Sequence, residues 1–127
     1  GTLRPDVATR PHRYVYAATG EPGRFLFNGL VKHDLADGHE TSISFGPGVF
    51  GSETVMAPRP GSTGEDDGYL ITFTTDMNDD ASFAVVYDAQ APEDGPVCRL
   101  RLPERISSGT HASWADRHDL AGASLLP

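Results

Sequence analysis

Apolar and polar positions alternate with a period of two along most of the chain, the pattern of half-buried strands. The residues HRYVYAAT (12–19) are rich in aromatic and β-branched side chains and read as a first strand. FLFNGLVKHDL (25–35) reads as a second, with a bulge expected at Gly29. ETSISFG (40–46) sets Thr41, Ile43 and Phe45 against Ser42 and Ser44, a third strand. SETVMAPR (52–59) is a short candidate, and YLITFTTD (69–76) is the clearest strand in the chain. SFAVVYDAQ (82–90) pairs with it as a hairpin, and PVCRLRLP (96–103) closes the series. In that last segment Val97, Arg99 and Arg101 alternate with Cys98, Leu100 and Leu102, so Cys98 is expected buried and inert.

Turn signals punctuate the strands. GEPG (20–23), ADGH (36–39), MNDDA (77–81) and APEDG (91–95) each carry the residues that tight turns require. GPGVFGSE (46–53) packs Gly46, Gly48 and Gly51 into one short stretch. There the backbone turns sharply or lets another group come close. Residues 1–13 read as an extended lead-in, and PGSTGEDDG (60–68) as a polar loop. No helical period is convincing. Two groups emerge, about 12–46 and 52–103, each with three or four antiparallel strands. A four-stranded propeller blade takes roughly 40–45 residues, so the chain is long enough for two blades and part of a third. Four blades would need roughly 160 residues, so a closed ring is out of reach. The expected fold is all-β and antiparallel: one region over residues 1–127, either a small sandwich or a piece of a larger propeller.

Composition narrows the function classes. With 127 residues and 38% hydrophobic content, the chain suits one globular domain. Eighteen acids against ten bases give a formal charge of −8. Such a chain has no basic stripe to displace counterions from phosphate, so nucleic acid is not an expected partner. Attraction to an anionic membrane surface is disfavoured for the same reason. A single cysteine excludes an internal disulfide, and no CxxC pair is present. A reducing cytoplasm is the simplest expected compartment. The chain opens at Gly1 without an initiator methionine, which suggests a piece of a longer or processed protein.

Candidate chemistry concentrates in LPERISSGTHASW (102–114). His111 stands between the small residues Thr110 and Ala112, which leave an imidazole open to a metal or substrate. Histidine is the commonest metal ligand, yet a lone loop histidine also serves as an ordinary solvated side chain. His12, His33, His39 and His118 are expected at the surface, the middle pair flanking an Asp-Gly turn. The acids Glu65, Asp66 and Asp67 lack the regular spacing of calcium ligands and read as a solvated loop with capping duties. Trp114 either packs on the core or lines a pocket. No Ser-His-Asp set, phosphate loop or dinucleotide fingerprint occurs.

Several segments, in this order, resemble the C-terminal part of the carotenoid cleavage oxygenases, the family of the retinal-pigment-epithelium isomerase and the lignostilbene dioxygenases. They are FNGLVKHDLADG, SFGPGVFGSETVMAPRPGSTGEDDGYLITFTTD, VVYDAQ and RLRLPERISSGTHASW, and the likeness runs from about Pro11 to Trp114. The resemblance implies about two blades of a seven-bladed β-propeller. It implies a ferrous iron, Fe(II), held on the propeller axis by four histidines, three of them hydrogen-bonded by glutamates. It implies O2-dependent cleavage of a conjugated double bond in an apolar polyene or stilbene. Carried onto this sequence, His111 matches the last iron-binding histidine, and Glu53 in GSET matches a glutamate that orients a ligand.

Thr110 and Ala112 depart from the aromatic residue and glycine that often flank that histidine, and Ser107 and Ser108 are more polar than usual. Another such glutamate is expected just before the region of residues 1–10, where none stands. The other three ligands belong to earlier blades, so the remainder of the propeller, or another copy of the chain, is an expected partner. The competing reading is a non-catalytic all-β binding module related to this family.

Overall fold

The computed structural model describes residues 1–117 and Leu120. Its strands are β1 (Tyr14–Gly20), β2 (Phe27–Asp34), β3 (Glu40–Ser44), β4 (Val49–Gly51), β5 (Val55–Pro58), β6 (Gly68–Asp76), β7 (Ala81–Asp88) and β8 (Pro96–Arg101). Every pairing between them is antiparallel. β1, β2 and β3 form one meander, and β5, β6, β7 and β8 form a second. The short β4 joins the two, pairing Gly51 with Phe27 of β2 and Val49–Gly51 with Thr74–Asp76 of β6. The alternation of the sequence explains the core. Tyr16 and Leu30 from the first meander meet Met56, Leu70, Phe83, Val85 and Tyr87 from the second in one cluster, with Ile43 and Phe45 packed against it. Burying a side chain such as Leu70 contributes about 2 kcal/mol.

The glycine-rich stretch 46–53 holds a strand that its composition hid. Val49 and Phe50 favour a strand, the surrounding glycines and proline mask it, and pairing to β6 supplies the partner that a short strand needs. Gly51 is the point of close approach: a Cβ there would lie 2.4 Å from the Phe45 ring. The bulge expected at Gly29 falls one residue earlier. Thr19 pairs with Gly29 and Gly20 with Phe27, so Asn28 is the extra residue. Its carbonyl accepts from Phe45 N at 3.0 Å. Gly29 is needed for another reason, since a Cβ there would meet Ile43 O at 2.2 Å.

Three further expectations are corrected. The lead-in is not simply extended. It makes a one-turn 3-10 helix at Pro5–Val7, bridges Thr2 to Tyr16, and buries Arg4. The Arg4 guanidinium donates to Asp6, to Ser62 Oγ and O, and to Gly64 O, which lets a charge be buried. Cys98 is half-buried instead of buried, because β8 is the last strand of the sheet. The acid run 65–67 is not merely solvated. Glu65 accepts from the backbone N–H groups of Arg13 and Tyr14 at 2.7–3.0 Å. Asp66 pairs with the buried Lys32 and Asp67 with Arg59. The loop therefore ties the entry of β1 and the middle of β2 to the second meander.

Candidate functional site

Glu53 sits between β4 and β5 on a backbone fixed by its neighbours. Ser52 N donates to Phe73 O at 2.8 Å, Thr72 Oγ1 donates to Ser52 O at 3.2 Å, and Ser52 and Thr54 are both buried. Glu53 is left as the outward-facing residue of this short segment, its side chain 25% exposed. Its carboxylate reaches the strap that follows β8. Glu53 Oε2 accepts from the backbone N–H of Ala112 at 2.8 Å, across 59 positions of sequence. It also stands 3.6 Å from His111 Nδ1. The imidazole itself is 93% exposed.

The two residues singled out from sequence are thus brought together, although the contact at hydrogen-bond distance runs through the backbone of the next residue. The carboxylate lies on the Nδ1 side of the ring and leaves Nε2 open to solvent. Such an arrangement suits a metal ligand, because a carboxylate beside one ring nitrogen fixes ring direction and tautomer for donation by the other. Among the described residues no group of three or more His, Cys, Asp or Glu side chains is assembled that could hold a metal ion. One neutral imidazole is, in donor chemistry, the kind of group that suits iron.

The remaining histidines lie elsewhere. His33 Nδ1 is 3.0 Å from Glu40 Oε1 across the β2–β3 pair, and His12 Nδ1 meets Arg10 O at 2.9 Å. His39 is exposed in its turn, and His118 lies outside the described residues. Trp114 lines an open groove with Arg4, Pro60 and Leu120. Sequence reasoning missed the hydroxyl groups that hold the strap, Ser82 and Thr75. They read as ordinary strand residues, and only the fold puts them under the loop.

The antiparallel all-β architecture is that of a segment of a seven-bladed β-propeller, the fold of the carotenoid-oxygenase structures it superposes on. The profile of the retinal pigment epithelial membrane protein family matches residues 1–116, and the chain belongs to that family. The apocarotenoid-15,15'-oxygenase of Synechocystis is 36% identical over 115 residues, covering 89% of this chain. Lignostilbene-alpha,beta-dioxygenase isozyme III of Sphingomonas paucimobilis is 36% identical over 117 residues, covering 92%. The crystal structure of the cobalt-substituted Synechocystis enzyme superposes with a TM-score of 0.82 at 35% identity, over 89% of this chain and 24% of that one. The chain spans about a quarter of the length of these relatives: 24% of the first and 23% of the second.

Proposed function

We propose that the chain is part of a non-haem Fe(II) dioxygenase that cleaves a conjugated C=C bond of a carotenoid, apocarotenoid or stilbene with O2. In this reading His111 is an iron ligand and Glu53 orients it. The observation that carries the reading is the 3.6 Å approach of Glu53 Oε2 to His111 Nδ1. It joins two residues that the family resemblance picks out separately. Bound iron would supply the centre at which O2 is activated. This chain's residues leave His111 Nε2 outward, stand the Glu53 carboxylate 3.6 Å from Nδ1 on the other side of the ring, and pin the following backbone N–H to the same oxygen. The remaining ligands and most of the substrate channel come from the rest of the propeller. That remainder is the first partner of this chain, and a cytoplasmic location completes the reading.

Substitution in the full-length protein tests it. His111→Ala should abolish cleavage and lower the iron content. Glu53→Gln keeps shape and an acceptor oxygen but loses the charge, and changes of this kind cost about 10–100-fold in affinity or activity. His33→Ala and His39→Ala are the controls. The measurement is iron per chain together with O2-dependent loss of polyene absorbance. If His111→Ala keeps both while a control loses them, the ligand assignment is wrong.

A further inference from the structure

We infer that the paired hydroxyls of Ser82 and Thr75 form a clamp that positions the 102–112 strap, and with it His111. The inference rests on the proposed role of His111 and adds residues that the family resemblance did not single out. Thr75 and Ser82 are directly opposite across the β6–β7 pair, and both are buried. Their oxygens lie 3.2 Å apart. Ile106 N donates to Ser82 Oγ at 3.0 Å, and Thr75 Oγ1 donates to Ile106 O at 3.4 Å. With the Ser82 hydroxyl donating to Thr75 Oγ1, the three bonds close a ring that holds both backbone groups of Ile106. Leu102 N adds a fourth bond, to Ser82 O at 2.8 Å.

From Leu102 the strap crosses the ends of β7 and β6 and reaches the β4–β5 junction. There Gly109 approaches Ser52, a Cβ built on it lying 3.7 Å from Ser52 Cβ, and Glu53 takes Ala112 N. The strap is thus held at two points, the hydroxyl pair and the Glu53 carboxylate. Residues 107–111 between them are exposed. A segment so poor in apolar contacts has little to hold it besides its hydrogen bonds. The Arg105–Asp80 ion pair nearby is solvent-facing, its aspartate 82% exposed, and such pairs contribute little. Freeing Ile106 would let the strap lift from its N-terminal side and would weaken the Glu53–Ala112 bond that orients the histidine.

Amide exchange with solvent, resolved to single residues in the metal-free full-length protein, tests the clamp. Ser82→Ala should speed exchange at Ile106 about 2–10-fold, the loss of one net hydrogen bond. It should also speed exchange at Ala112 by roughly twofold or more, with Thr72 and Val85 in the sheet unchanged. Ser82→Thr keeps the hydroxyl and should restore both rates. Should Ser82→Ala disturb the sheet itself, Thr75→Val removes the partner hydroxyl while keeping the branched shape, and the same two amides are read. Unchanged exchange at Ile106 overturns the proposal. Faster exchange at Ile106 with Ala112 unmoved also overturns it, because the clamp would then not reach the histidine segment. The readout contains no metal, so its failure and the failure of the iron reading are separate results.

Discussion

Lys32 Nζ lies 2.9 Å from Asp66 Oδ2, with the two side chains only 10% and 19% exposed. The ammonium also donates to Ala89 O at 2.8 Å and sits 4.4 Å from the centre of the Tyr14 ring. One cation thereby joins β2, the 65–67 loop and the end of β7. Removing one partner of a buried pair is costly because the other charge is left without compensation. Asp66→Ala should therefore destabilise the chain by about 2–3 kcal/mol, and Lys32→Met by less, since the methionine fills the same space. Urea unfolding midpoints at constant slope check the ordering. Equal small losses would mean that the pair is exchanged freely for water.

Stability should fall on acidification. The backbone N–H of Asn78 holds the Asp76 carboxyl below the usual carboxylate range, and Arg13 does the same for Asp34 through its side-chain hydrogen bonds. A carboxyl depressed in the folded state binds protons less well there than in the unfolded chain. Its contribution is therefore present above the ordinary value of about 3.9 and is lost as pH drops through the folded value. Asp76→Asn should flatten the acid limb of a stability–pH curve. An unchanged limb would rule Asp76 out as a contributor.

Alkaline pH should act through Tyr16. Burial pushes its phenol well above the ordinary value of about 10. A group raised in the folded state contributes stability below its unfolded value, and that contribution is lost as pH rises through the folded one. Tyr16 Oη has no partner among the described protein groups, so Tyr16→Phe should be nearly neutral at pH 7. The same substitution should move alkaline unfolding to higher pH. Thermal melts at pH 7 and above pH 10 decide.

Gly29 and Gly38 should respond differently to alanine. At Gly29 the added Cβ meets Ile43 O at 2.2 Å, where backbone must move, so β2 and β3 separate and the chain loses much of its stability. At Gly38 nothing lies within 4 Å, and only the left-handed φ of +76° is strained, a cost of about 1–2 kcal/mol. Melting temperatures of the two variants would show the difference. A Gly29→Ala protein as stable as Gly38→Ala would contradict the close β2–β3 approach.

The isolated chain should associate with itself through β8. This strand pairs with β7 on one side only, and Val97 and Leu100 on it are 59% and 57% exposed. Open edges with apolar side chains pair with other chains. Sedimentation across a concentration series should show a shift that Leu100→Lys suppresses. A monomer at every concentration would refute it.

Iron should bind the isolated chain weakly, because among the described residues His111 belongs to no group of three or more His, Cys, Asp or Glu side chains. Anaerobic calorimetry with Fe(II) is the measurement. A tight one-to-one site would mean that more ligands converge than the strap provides.

The strand framework was legible in the sequence, because period-two alternation and turn residues are local. They placed β1, β2, β3, β6, β7 and β8 within a few residues, and β5 as a short candidate, along with the turns between them. Pairings decided by partners far along the chain were not legible. β4 exists because β6 and β2 accept it, Asn28 bulges because Phe45 takes its carbonyl, and the acids 65–67 are paired because Lys32, Arg59 and the start of β1 come to them. The site divides in the same way. Sequence alone singled out Glu53 and His111 through resemblance to a family. Only the tertiary structure decided that the carboxylate stands beside the ring while bonding Ala112 N, and that Ser82 and Thr75 hold the strap. A hydroxyl on a strand carries no local sign of what will cross above it. That depends on where β8 ends and which way the chain then runs over the sheet.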